Sequence, residues 1–222
     1  MSSAVVINQR ARSREQKALR RHAVLAAAET YLREVGYEAF SMAQLAKKTG
    51  VAKGTLYLYF QTREELFLTL YEQSLIRWSQ VFIDDLSDSM TSKAYSQKLF
   101  STASADGTFL PLLIRLEYMI EHNVAIPRLI SSKQVFILQV EALAEATFIS
   151  LSLGEAQAIE VAKTMGVLLI SATQVDQGPS LDHEELPEDV KNLIVSFSSG
   201  PLFTKNAVRI IEGIRTEAVS NI

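Results

Sequence analysis

Cysteine is absent from this 222-residue chain, which excludes a disulfide framework, a thiolate nucleophile and any cysteine-bound metal. Histidine is scarce as well. His22, His122 and His183 lie far apart, and His183-Glu184-Glu185 lacks the second histidine of a zinc-protease helix. No metal and no cofactor is expected. Gly50 to Thr55 contains Lys-Gly-Thr where a phosphate-binding loop needs Gly-Lys-Thr, so nucleotide chemistry is excluded too. No segment alternates apolar and polar residues as a half-buried strand would, and no repeat occurs. No apolar run approaches the length of a membrane span, and the stretch Met-Ser-Ser-Ala-Val-Val-Ile-Asn-Gln-Arg is too weakly apolar for a signal peptide. A cytoplasmic protein with no membrane partner is the expectation.

What is present is an all-helical pattern and an uneven distribution of charge. The composition, 48% hydrophobic, is enough to bury a substantial core. A net charge of -3 conceals two unlike parts: residues 1–60 hold ten Lys and Arg against four Asp and Glu, and residues 61–222 hold twelve against twenty-one. A basic N-terminal part on an acidic body presents one face to a phosphate backbone and repels it elsewhere. Two domains are expected, divided near residue 60.

Residues 41–60, Ser-Met-Ala-Gln-Leu-Ala-Lys-Lys-Thr-Gly-Val-Ala-Lys-Gly-Thr-Leu-Tyr-Leu-Tyr-Phe, read as a helix-turn-helix unit. Leu45 and Ala46 fall where the first helix packs on the second, and Gly50 falls at a turn that needs a left-handed backbone. Val51 and Leu56 anchor the second helix, leaving Lys53, Thr55 and Tyr57 to face a groove. Ser41 with Gln44, and Thr62 with Glu65, have the spacing of capping boxes and mark two helix starts. Upstream, Leu25, Ala28, Leu32 and Val35 share a stripe on a helix over residues 16–35 that Gly36 ends, and a basic arm of Arg10, Arg12, Arg14, Lys17, Arg20 and Arg21 is either a solvated tail or a contact to the minor groove or DNA backbone.

These residues also carry a family resemblance. Gly36-Tyr37, Ser41, Leu45-Ala46, Gly50-Val51, Lys53-Gly54-Thr55-Leu56-Tyr57-Leu58-Tyr59-Phe60 and Arg63-Glu64-Glu65-Leu66 resemble the N-terminal domain of TetR-family (tetracycline-repressor-like) transcriptional regulators, over about residues 14–70. Ala52 stands where the family commonly has a capping Ser, and Arg63 where a Lys is more usual. The resemblance implies that residues 52–57 enter the major groove, that Ser41 and Tyr57 reach phosphates, and that Arg63 meets the backbone. Tyr59 completes the expected DNA-facing set.

The body reads as helices over about 62–86, 93–104, 108–123, 127–153, 155–174 and 202–217, with an acidic, Pro- and Gly-rich loop at 176–187. On the 108–123 helix, Leu112, Leu116, Met119 and Ile120 form an apolar stripe edged by Arg115, Tyr118 and His122. Those residues suit the wall of a site for an apolar or amphipathic small-molecule effector; the alternative is ordinary surface and structural use. Asn123 is expected to cap the helix end. Ile159, Ala162, Met165 and Leu169, with Val208, Ile211 and Ile214, form small and branched surfaces that suit either a homodimer interface or a core within one chain. The resemblance favours the dimer.

The expected function is thus a homodimeric regulator, a repressor released from double-stranded operator DNA by an effector. An effector-independent architectural DNA-binding protein is the rival. An enzyme using Glu117, Glu121 and His122 is disfavoured, because Glu117 and His122 would lie about 140° apart around one helix.

Overall fold

The computed structural model describes residues 3–175 and 186–220, with side chains over 15–175 and 186–217. His183 and all but the last two residues of the 176–187 loop fall outside these. The described residues contain no strand. Among the described residues, ten α-helices run in chain order: α1 Ser3–Ala39, α2 Met42–Thr49, α3 Lys53–Tyr57, α4 Arg63–Asp85, α5 Ser92–Ala105, α6 Phe109–Leu113, α7 Ile126–Leu151, α8 Glu155–Gln174, α9 Glu188–Ser196 and α10 Ser199–Ser220. Between α6 and α7 lie a π-helical turn, Leu116–Ile120, and a 3-10 turn, Glu121–Asn123.

The first helix is longer than its apolar stripe suggests. Leu25, Ala28 and Leu32 are buried as expected, but Val35 is exposed, and Tyr31 and Tyr37 fill the core instead. Gly36, at φ 76°, kinks the helix and lets one more turn follow to Ala39. The kink turns Tyr37 and Phe40 onto Phe67 of α4, at ring separations of 4.7 and 4.9 Å, and so docks the N-terminal helices on the body.

α4 is the axis of the molecule. Thr62 Oγ1 accepts the Glu65 N–H at 3.0 Å, while the Glu65 carboxylate takes the Gln61 N–H, one residue earlier than a simple capping box would have it. Thr62→Ala should therefore cost about 1 kcal/mol, within the usual range for a lost N-cap, as chemical denaturation would show. Inside the body, α4 contributes Trp78 to an aromatic column with Phe109 at 4.5 Å and Phe82 at 5.9 Å, and Phe82 meets Tyr95 at 5.3 Å. The Tyr95 hydroxyl shares a 2.7 Å hydrogen bond with Thr147 on α7, and burial pushes its pKa up to about 12. Three ionic groups tie the helices at the other side: Arg77 on α4 bridges Glu29 of α1 and Asp106, both at 2.7 Å.

The single helix expected over 108–123 is broken. Asp106 Oδ1 accepts the N–H groups of Thr108 and Phe109 and starts α6, but the ladder fails at Arg115. Its guanidinium donates to the Pro111 carbonyl at 2.9 Å, the position that its own N–H would take in an α-helix, and that N–H goes to Leu112 instead. A π turn follows, with the Ile120 N–H on the Arg115 carbonyl. Asn123 Nδ2 donates to the Met119 carbonyl and so caps the segment as expected.

α7 corrects a second expectation. It is long and apolar enough, at a mean hydropathy of 1.4, to cross a membrane by length and composition, yet it packs between α4 and α8 with only 22% of that window buried. Ile130, Ile137, Leu138 and Ile149 stand more than half exposed on its outer side. α8 and α10 pack against each other, and α10 closes on α5, where Ser92 donates to Glu212.

Candidate DNA-reading face

Local chemistry builds this face. Met42, Leu45 and Ala46 bury one side of α2, and Gly50 ends it at φ 66°, ψ 22°, with its N–H on the Ala46 and Lys47 carbonyls. The Val51 N–H also returns to Ala46, which reverses the chain within two residues. α3 then begins at Ala52, an extended residue with no side chain able to cap it, and is only five residues long. Leu56 is fully buried and pins the helix, so Ala52, Lys53, Gly54 and Tyr57 are left exposed and Thr55 and Tyr59 partly so. Of the expected groove-facing set, Lys53 and Tyr57 are adjacent, with the ammonium 6.0 Å from the ring centre.

Two expected contacts take a different form. Ser41 is extended and precedes α2, but its hydroxyl makes no capping bond, so the Ser41–Gln44 capping box is not formed. Arg63 is not free to reach outward from the start of α4: its guanidinium lies over the Tyr37 and Phe67 rings at 5.2 and 5.5 Å and pairs with Glu64 at 3.0 Å. Part of the basic arm, Lys17 and Arg20, lies on α1 beside this face. Gln16, Lys17 and Arg20 line a cleft of about 360 Å³ with Thr55, Leu58 and Tyr59, and Lys17 lies 5.9 Å from the Tyr59 ring. The signal in the sequence was the excess of basic residues before residue 22.

The expected effector wall is only half in place. Leu112 and Leu116 are buried, but Tyr118 is 85% exposed, and Met119 and His122 also face outward. Arg115 lies over the Tyr37 ring at 5.2 Å and donates to Glu38 of α1 at 2.7 Å, and this guanidinium holds the Glu38 carboxyl below the usual carboxylate range. The helix on which Arg115, Tyr118 and His122 were projected is broken at Arg115, and of the three Tyr118 and His122 stay together, with ring centres 6.2 Å apart. Glu121 pairs with Lys133 at 2.7 Å rather than with His122. Among the described residues no cluster of His, Asp and Glu has the arrangement of a metal site.

The expected dimer stripe is corrected in part. Met165, Leu169, Ile211 and Ile214 are buried inside the protomer, where α8 packs on α10, so these four side chains build its own core. Ala162 and Val208 are half-buried and Ile159 is exposed.

Residues 24–70 match the family model described as bacterial regulatory proteins, tetR family. The fatty acid metabolism regulator protein of Bacillus subtilis (strain 168) is 30% identical over 70 residues, 32% of this chain and 36% of that protein, so the match spans about a third of the curated relative's length. A TetR transcriptional regulator from Rhodococcus sp. RHA1 has the same fold over 89% of this chain and 97% of its own, with a TM-score of 0.55 at 16% identity. A TetR variant from Acinetobacter baumannii AYE in complex with minocycline aligns over 86% of this chain and 93% of its own, with a TM-score of 0.52 at 15% identity.

Proposed function

We propose that this chain, whose residues 24–70 match the tetR family model, is a cytoplasmic, homodimeric repressor whose operator affinity is lowered by a small-molecule effector. In this reading, residues 1–60 read the DNA and residues 61–222 dimerise and bind the effector. The observation that carries it is the exposed side of α3, where Lys53, Gly54 and Tyr57 stand clear of a helix held by the fully buried Leu56. Lys53, Thr55 and Tyr57 are the groups for the major groove, with Ser41, Tyr59, Lys17 and Arg20 for phosphates. Arg63 acts at one remove, by fixing the angle between α1 and α4 through Tyr37.

The outer faces of α7 and α8 are the proposed contact with a second copy. Their support is the exposure of Ile137, Leu138 and Ile149 on α7 and of Ile159 and Val167 on α8, two helices that pack side by side. The effector is proposed to enter near the broken 108–123 segment, which touches both domains: Arg115 reaches Glu38, and the Thr62 hydroxyl donates to the Asn123 carbonyl at 3.2 Å. An effector that favours one arrangement of this segment can bias the angle of α3 by no more than its differential affinity allows.

Lys53→Ala and Tyr57→Ala are expected to weaken binding to a selected DNA duplex by about 1–3 kcal/mol each if the side chain reads a base. Both should melt like the parent, because both side chains are solvent-facing. Parent-like affinity in the two variants would remove α3 from the interface.

A further inference from the structure

Among the described residues, the Tyr71 hydroxyl is buried without a hydrogen-bond partner. The side chain is only 2% exposed, on α4, with its ring stacked 6.1 Å from Phe109 of α6. An unmatched hydroxyl in a core forfeits its hydration for nothing, so such groups are few and call for an explanation. Packing alone would have been served by phenylalanine.

The surroundings of this hydroxyl restrict what could satisfy it. Burial raises its pKa, and the carboxylates of Glu121 and Glu72 are the charges that add to the rise. Both carboxylates are already matched: Arg128 takes the two oxygens of Glu72 at 2.6 Å each, and Lys133 takes Glu121 at 2.7 Å. An anionic group at Tyr71 would meet two carboxylates, and a cationic one would compete with ammonium and guanidinium groups already in place. A neutral acceptor suffers neither penalty, and the phenol can donate to it. α6 and the π turn, the two segments that pack on α4, bury Leu112 and Ile120 completely, so they add apolar surroundings. α4 packs against the π turn, an irregular backbone form that occurs frequently at functional sites.

We infer that the Tyr71 hydroxyl is the polar anchor of a binding site beneath the 116–120 turn, which takes an uncharged, apolar molecule bearing a carbonyl acceptor. The inference rests on the reading that the body binds an effector, and it names that effector's chemical class. Ligand entry displaces the π turn, and with it Arg115, whose guanidinium reaches Glu38 on α1.

The test uses the full chain and three eight-carbon probes in calorimetry: 2-octanone, octanoate and octyltrimethylammonium. The parent should bind 2-octanone at least tenfold more tightly than either charged probe. Tyr71→Phe should weaken 2-octanone by about threefold to tenfold, the usual range for one lost hydrogen bond. Without any probe, Tyr71→Phe should melt at or above the parent temperature, since it removes an unmatched polar atom. No binding of 2-octanone to the parent, equal binding of the three probes, or parent-like affinity in Tyr71→Phe would each overturn the inference. A lower melting temperature for Tyr71→Phe would too, since it would mean that a buried water already satisfies the hydroxyl. Binding of 2-octanone through Tyr71 with no change in affinity for the selected duplex would leave the site standing and defeat effector control instead.

Discussion

Raising the salt concentration from 50 to 200 mM should weaken specific DNA binding by roughly 10³- to 10⁵-fold, the loss expected when six to ten phosphates are neutralised. Lys17, Arg20, Lys47 and Lys53 of each protomer lie on or beside the reading helices and are exposed to solvent, and a dimer doubles them. Lys48 and Arg63 contribute less, because Glu34 and Glu64 already pair with them at 2.6 and 3.0 Å. The acidic body adds repulsion at low salt, so steepness depends on the basic part meeting the duplex alone. Titrations of a fluorescent duplex at graded salt would measure the slope. A flat response would mean that the charge asymmetry is not used for nucleic acid.

Trp78→Ala should destabilise the fold by about 3–5 kcal/mol, the range for removing a large aromatic from a core. Trp78 is 6% exposed, stacks on both Phe109 and Phe82, and donates its indole N–H to Thr102 at 3.2 Å. Removing it empties the middle of a column that joins α4, α5 and α6, and leaves the Thr102 hydroxyl only its contacts to the carbonyls of Lys98 and Leu99. The surrounding helices cannot collapse freely, because Arg77 on the next residue is held by Glu29 and Asp106. Urea denaturation followed by circular dichroism would give the loss, and a change below 1 kcal/mol would show that the column is not a structural element.

How far the sequence spoke depended on how local the deciding interaction was. Gly50, Leu45, Leu56 and the Thr62 cap could be read because each depends on neighbours within four or five residues. Arg115 could not: it breaks its helix partly by reaching Glu38, 77 residues away in the chain. Once that helix is broken, the periodicity that grouped Arg115, Tyr118 and His122 on one edge no longer applies, and Tyr118 turns out to solvent. Tyr71 gave no signal because a tyrosine among leucines and phenylalanines looks like any core aromatic, and only its surroundings show that its hydroxyl is unmatched. The stripes on α8 and α10 were legible as apolar faces, but sequence could not say whether they meet each other or a second copy. Met165 and Ile211 are buried within the chain, where α8 packs on α10, and several apolar side chains stay exposed on α7.

The measurement closest to the central claim is a selection from a random-sequence duplex pool, carried out in parallel with the parent chain and with Lys53→Ala. If a dimer reads DNA through α3, the parent should enrich an inverted repeat whose half-sites lie one helical turn apart, about 10 base pairs, or a multiple of that spacing. Lys53→Ala should enrich the same repeat weakly, with relaxed preference at the base pairs that Lys53 contacts. Enrichment of no sequence by the parent, or of an identical repeat at equal strength by Lys53→Ala, would contradict the account.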